Sequence, residues 1–85
     1  MDLAINLTET DIKLSIKRGG GLTIDSESFS YYHDLEQKLI IYLDKLLKRN
    51  SIDVHSLKGY RILGNLGTET TSHKIAEVFV RGLEF

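Results

Sequence analysis

Cysteine, proline and tryptophan are all missing from this sequence of 85 residues. Without cysteine, neither a disulfide framework nor a thiolate metal site can form. The lack of proline suits a chain made almost wholly of regular elements. An excess of one charge is missing too: 11 Lys and Arg stand against 12 Asp and Glu, for a net charge of -1. Such a balance supplies no general attraction for nucleic acid or anionic lipid. No apolar run approaches the roughly 18 residues of a membrane span. The opening MDLAINLTETDIKLSI lacks the basic and long apolar regions of a signal peptide. A cytoplasmic location is the expectation, with no membrane partner. What is present is globular in character, 41% hydrophobic and 27% charged, and one domain over residues 1–85 is expected.

Residues 3–7 form a short apolar run suited to a buried strand, and Ile12-Lys13-Leu14-Ser15-Ile16-Lys17 alternates strictly. That alternation puts Ile12, Leu14 and Ile16 on one face of a second strand. Thr8-Glu9-Thr10-Asp11 has turn chemistry, and Gly19-Gly20-Gly21 reads as a hairpin turn before a third strand over 22–25. Ser30 is placed to cap a helix over 30–49, with acids early, Lys45, Lys48 and Arg49 late, and Asn50 to end it. On that helix Tyr32, Leu35, Leu39, Tyr42, Leu43 and Leu46 fall within about 60° of one direction. Leu47 and Ile40 widen the arc, while Ile41 projects almost opposite its centre.

Residues 51–57 read as a connector with a helical turn, leading to a fourth strand over 60–63, parallel to the first. Thr70, Thr71 or Ser72 then caps a second helix running nearly to the end of the chain. Its apolar arc, carried by Ile75, Ala76, Val78, Phe79, Val80 and Leu83, sweeps about 200°. One sheet face does not cover that width. The expected fold is therefore α/β with a mixed sheet, in the order β-β-β-α-β-α, with three antiparallel strands, one parallel strand and two helices.

Catalytic chemistry is thin. His33, His55 and His73 share no metal-ligand spacing and read as surface or capping residues. No Ser or Thr sits in a nucleophile elbow. Asp11, Asp25 and Asp34 read as strand-end and helix-start carboxylates. Lys45, Lys48, Arg49, Lys58 and Arg61 are offset by acids and not interleaved with exposed aromatics, so no direct nucleic-acid contact is expected. No cofactor is expected either. The surplus apolar surface of the two helices points instead to a protein interface at Ile40, Ile41, Leu47, Ala76, Val80 and Leu83.

At Tyr42-Leu43-Asp44-Lys45-Leu46-Leu47, Ile52-Asp53-Val54-His55-Ser56-Leu57, Tyr60-Arg61-Ile62-Leu63 and the tail over 75–83, the chain resembles the N-terminal lobe of the TsaB (YeaZ) family. In that family a strand like Leu3-Ala4-Ile5-Asn6-Leu7-Thr8 opens a meander, and a K-G-L-A-like end is echoed by Arg81-Gly82-Leu83-Glu84. Asn6 stands where the family has Asp, the Pro-Gly-Ser-Phe loop signature is replaced over residues 64–75, and the second lobe is missing. The resemblance implies a ribonuclease-H-like, actin-like half-domain that is not itself an enzyme. It further implies support or regulation of threonylcarbamoyladenosine formation on tRNA, through helix-mediated association with a TsaD-like protein or as a homodimer. The alternatives are a residual nucleotide-binding ATPase fragment using Thr8, Thr10 and the Gly64 to Thr71 loop, or a freestanding homodimeric structural domain.

Overall fold

The alternation over residues 12–17 lies at the heart of a four-stranded sheet in the computed structural model, which describes residues 1–64, 67 and 70–83. Strands β1 (Asp2–Leu7), β2 (Asp11–Lys17) and β3 (Thr23–Ser30) form an antiparallel meander. Helix α1 (Leu35–Arg49) crosses over to β4 (Gly59–Gly64), which lies parallel to β1, and helix α2 (Thr71–Arg81) follows. The strand order is β3-β2-β1-β4. This is the mixed α/β arrangement and the element order expected from the pattern.

Register explains which side is buried. Leu3, Ile5 and Leu7 of β1 stand opposite Ile16, Leu14 and Ile12 of β2, so six aliphatic side chains share one face. All six are at most 1% exposed. Both helices cover that face: α1 over β2 and β3, α2 over β1 and β4, each also against the other. From α1 come Leu35, Leu39, Leu43, Leu46 and Leu47, and from α2 come Ala76 and Val80. Phe29 stacks on Tyr42 with ring centroids 4.2 Å apart and planes 8° from parallel, which pins α1 to β3.

The expected boundary between β3 and α1 moves. Residues 26–30 continue the strand, since Glu27, Ser28, Phe29 and Ser30 pair with Leu14, Lys13, Ile12 and Asp11. The helix begins at Leu35, so Ser30 is not its cap. Asp34 holds the N-cap position, but its Oδ1 accepts the N–H of Tyr32 at 3.1 Å. Serines favour strand edges and caps alike, and here the buried Phe29 and Tyr31 decide for the strand. Tyr32 then lies outside the helix and is exposed, not on its buried face.

Elsewhere the local chemistry matches its expected use. The glycine triplet makes a short 3-10 turn with Gly21 at φ +83°. Asp53 accepts from the His55 N–H at the helical turn Val54–Ser56. The Thr70 hydroxyl accepts the His73 N–H at the start of α2, satisfying one of the free amides of a helix terminus. Helix α2 stops at Arg81, short of the expected end, with Gly82 closing it. Residues 84 and 85 lie outside the described residues.

Arg49 fastens the end of α1 to the edge strand. Its Nε donates to Asp25 Oδ2 and its Nη1 to Glu27 Oε2, both at 2.9 Å. Asn50 Nδ2 donates to the same Asp25 oxygen at 2.8 Å. Hydrogen bonds from Arg49, then Asn50, then the Ser26 N–H pull the Asp25 carboxyl from its ordinary 3.8 down to about 2. A depressed carboxyl contributes stability that is fully present above the unfolded value and is lost as pH falls through the folded one. The urea midpoint is therefore expected to fall between pH 3.8 and about 2. Arg49→Met should flatten that fall, and added salt should shrink it because the pair is partly exposed.

Candidate interaction surface

Helix α2 has more apolar surface than the sheet alone takes up, and α1 takes up much of the rest. Ala76 and Val80 are both 0% exposed and Leu47 is 8% exposed. These three, expected from the sequence at a partner interface, belong instead to the chain's own core. The reason is geometric: α1 and α2 touch each other as well as the strands, so each helix buries two sides instead of one. Leu83 is half-buried and packs against the same core. Ile40 and Ile41 do stand in solvent, at 53% and 60% exposure. Ile41 lies on the outer side of α1 and lines no groove between the helices.

What remains open is a groove along the α1–α2 seam. Phe79, half-buried, forms a ridge between two hollows. One, of about 230 Å³, is walled by Glu36, Thr71, Lys74, Ile75 and Val78. The other, of about 220 Å³, is walled by Ile40, Leu43, Asp44, Leu47, Val54 and Leu83. Val78 beside the ridge is 71% exposed. Val78 lies at one edge of the α2 arc, with Val80 at the other edge and Phe79 at the centre, and the interface residues expected from the sequence do not include it. Exposed Ile40 and Val78 on either side of a half-covered aromatic make the apolar part of this groove, and contiguous apolar surface, unlike single exposed side chains, marks interaction sites.

The rim of this groove carries both signs of charge, Glu36 and Asp44 from α1 and Lys74 from α2. Asp44 bridges Lys48 at 3.0 Å on the exposed side of the helix. Glu36 and Lys74 border the same hollow without forming an ion pair among the described residues.

The groups considered for nucleotide chemistry are occupied locally. Thr8 Oγ1 donates to the Asp11 carbonyl and accepts the Asp11 N–H, at 3.1 and 3.0 Å. Thr10 Oγ1 donates to Asp11 Oδ2 at 3.0 Å, and Thr70 Oγ1 donates to the Gly67 carbonyl at 2.8 Å. Residues 65, 66, 68 and 69 of that loop lie outside the described residues. Tyr31, buried at the end of β3, donates its hydroxyl to the Thr8 carbonyl at 2.6 Å and shares a 3.1 Å hydrogen bond with Ser72 Oγ. This ties the C-terminal end of β1 to the first turn of α2.

The three histidines do not converge. His33 and His55 are exposed, while His73 is half-buried with Nδ1 3.9 Å from Glu77 Oε2. Asp11 and Asp25 sit at opposite ends of the β2–β3 ladder. Among the described residues no group of three or more His, Asp or Glu side chains is arranged to hold a metal ion. Of the basic residues weighed for nucleic acid, Lys48 and Arg49 are in ion pairs, and Lys45 lies 5.5 Å from the centre of the Tyr42 ring. No helix among the described residues is long and apolar enough to cross a membrane. The sequence matches no protein-family model and no curated protein.

Proposed function

We propose that this chain is a non-catalytic docking module that associates through the α1–α2 groove. The observation that carries the reading is the exposed pair Ile40 and Val78 around the Phe79 ridge. In isolation the occupant is a second copy of the chain. The rim is self-complementary, because a two-fold axis running along the groove sets Glu36 of one copy against Lys74 of the other. The resemblance to TsaB N-lobes supports a wider role on the same face. There a TsaD-like protein takes the place of the second copy, and the association supports or regulates threonylcarbamoyladenosine formation on tRNA.

Light scattering at micromolar concentration is expected to give twice the 9.7 kDa chain mass. Ile40→Asp and Val78→Asp should each return the mass to 9.7 kDa by weakening association roughly 100-fold, because each forces a carboxylate into an apolar contact. Circular dichroism of both variants should match the parent. Co-purification with a TsaD-like protein should be lost in the same two variants. A wild-type monomer that also captures no TsaD-like protein overturns the reading.

A further inference from the structure

The side of the sheet without helices holds another concavity, about 390 Å³ in volume, where β1, β4 and the β2–β3 turn come together. Strand register says what faces it. Lys17, Asp2 and Gly59 form one row across the strands, and Ala4 and Arg61 lie in the next. Arg18 and Gly21 close the turn side. Three cations, Lys17, Arg18 and Arg61, thus share one wall system with a single carboxylate, Asp2.

None of these cations forms an ion pair among the described residues, although Lys17 is the direct cross-strand neighbour of Asp2. The Asp2 carboxylate leans toward Gly59, where an added Cβ would come within 3.3 Å of Oδ1. Other basic side chains are engaged by the fold: Lys38, Lys48, Arg49 and Arg81 in ion pairs. Three of the seven cations that form no ion pair among the described residues thus lie at one hollow of a chain whose net charge is -1, which focuses potential on an incoming anion.

We propose that this concavity binds a small phosphate monoester that also carries a hydroxyl or amino group. Arg18 and Arg61 offer planar forks that match phosphate oxygens, and Lys17 adds a point charge. Asp2 accepts a hydrogen bond from the donor at the other end of the ligand and repels a second phosphate there. The volume is of the size that small organic ligands occupy, about 300 to 1,000 Å³. Glycines 21 and 59 leave bare backbone on the wall, so a ligand can approach closely. The site lies on the opposite side of the sheet from the helix groove and does not depend on the docking reading.

Titration calorimetry of the full chain at low salt tests this with ribose 5-phosphate, glucosamine 6-phosphate, inorganic phosphate, ribose and a single-stranded oligonucleotide. At least one of the two sugar phosphates is expected to bind more tightly than inorganic phosphate, and ribose not at all. Arg18→Gln and Arg61→Gln should each weaken binding about tenfold, the loss of one charge-assisted contact, with unchanged thermal unfolding. Asp2→Asn should narrow the gap between sugar phosphate and inorganic phosphate. Absence of heat with both sugar phosphates, or unaltered affinity when both arginines are replaced, overturns the proposal. Tighter binding of the oligonucleotide than of either sugar phosphate also overturns it and assigns the cations to a phosphate polymer.

Discussion

Gly64→Ala is expected to lower the urea midpoint of this chain sharply. Gly64 is the last residue of β4, paired with Leu7 of β1, and it holds φ +120°, a backbone region that L side chains rarely adopt. A Cβ there would run into the Leu7 carbonyl oxygen and stand 2.8 Å from both the Leu7 carbonyl carbon and nitrogen. These are main-chain atoms held by the sheet, so no side-chain rotation relieves the overlap. The combined strain and clash cost more than about 3 kcal/mol, against a total stability of roughly 4 to 13 kcal/mol for a domain of this length. Far-ultraviolet circular dichroism and a urea titration measure it. Gly19→Ala is the control, because a Cβ there meets nothing within 4 Å and the residue is not at positive φ, so its midpoint should hold or rise slightly. A Gly64→Ala protein with the parent midpoint would show that the end of β4 is not packed against β1 in this way.

Val80→Asp and Val78→Asp, two residues apart on α2, should have opposite consequences. Val80 is 0% exposed, within the cluster that joins both helices to the sheet. A carboxylate there is taken out of water into the apolar cluster, at a cost of several kcal/mol. The expected result is a chain without a sigmoidal thermal transition. Val78 is 71% exposed, so the same substitution leaves the monomer folded and removes only the apolar contact at the groove. Thermal melts of the two variants, side by side, separate a residue that holds the chain together from one that meets a partner. A folded Val80→Asp protein would mean that α2 sits differently on the sheet.

The element order and the pairing directions were legible because they follow from short-range pattern. Ile12, Leu14 and Ile16 alternate without exception, and a helix-length crossover before residue 59 leaves parallel pairing as the natural result. The start of α1 was not legible, since Ser26, Ser28 and Ser30 suit a strand edge and a helix cap equally. Choosing between them took the burial of Phe29 and Tyr31 against distant residues. Three of the six residues expected at the interface belong to the core for a related reason. A helical projection treats each helix alone, so Leu47, Ala76 and Val80 counted as surplus until α1 and α2 were set against each other. The basic hollow has no sequence signature at all: Lys17 and Arg18 precede the whole crossover and Arg61 follows it, and only the β1–β4 pairing brings them together.

That pairing also bears on the entropy that folding has to overcome. The three antiparallel strands are joined by tight turns, so their contacts close small loops, whereas the contact of Asp2 with Gly59 spans the whole meander and the intervening helix. Loop closure over such a span is entropically slow. Pairing of β4 is thus the contact of this sheet that closes the longest loop. Until that strand arrives the meander lacks one lateral neighbour, and its exposed flank is the vulnerable stage during synthesis.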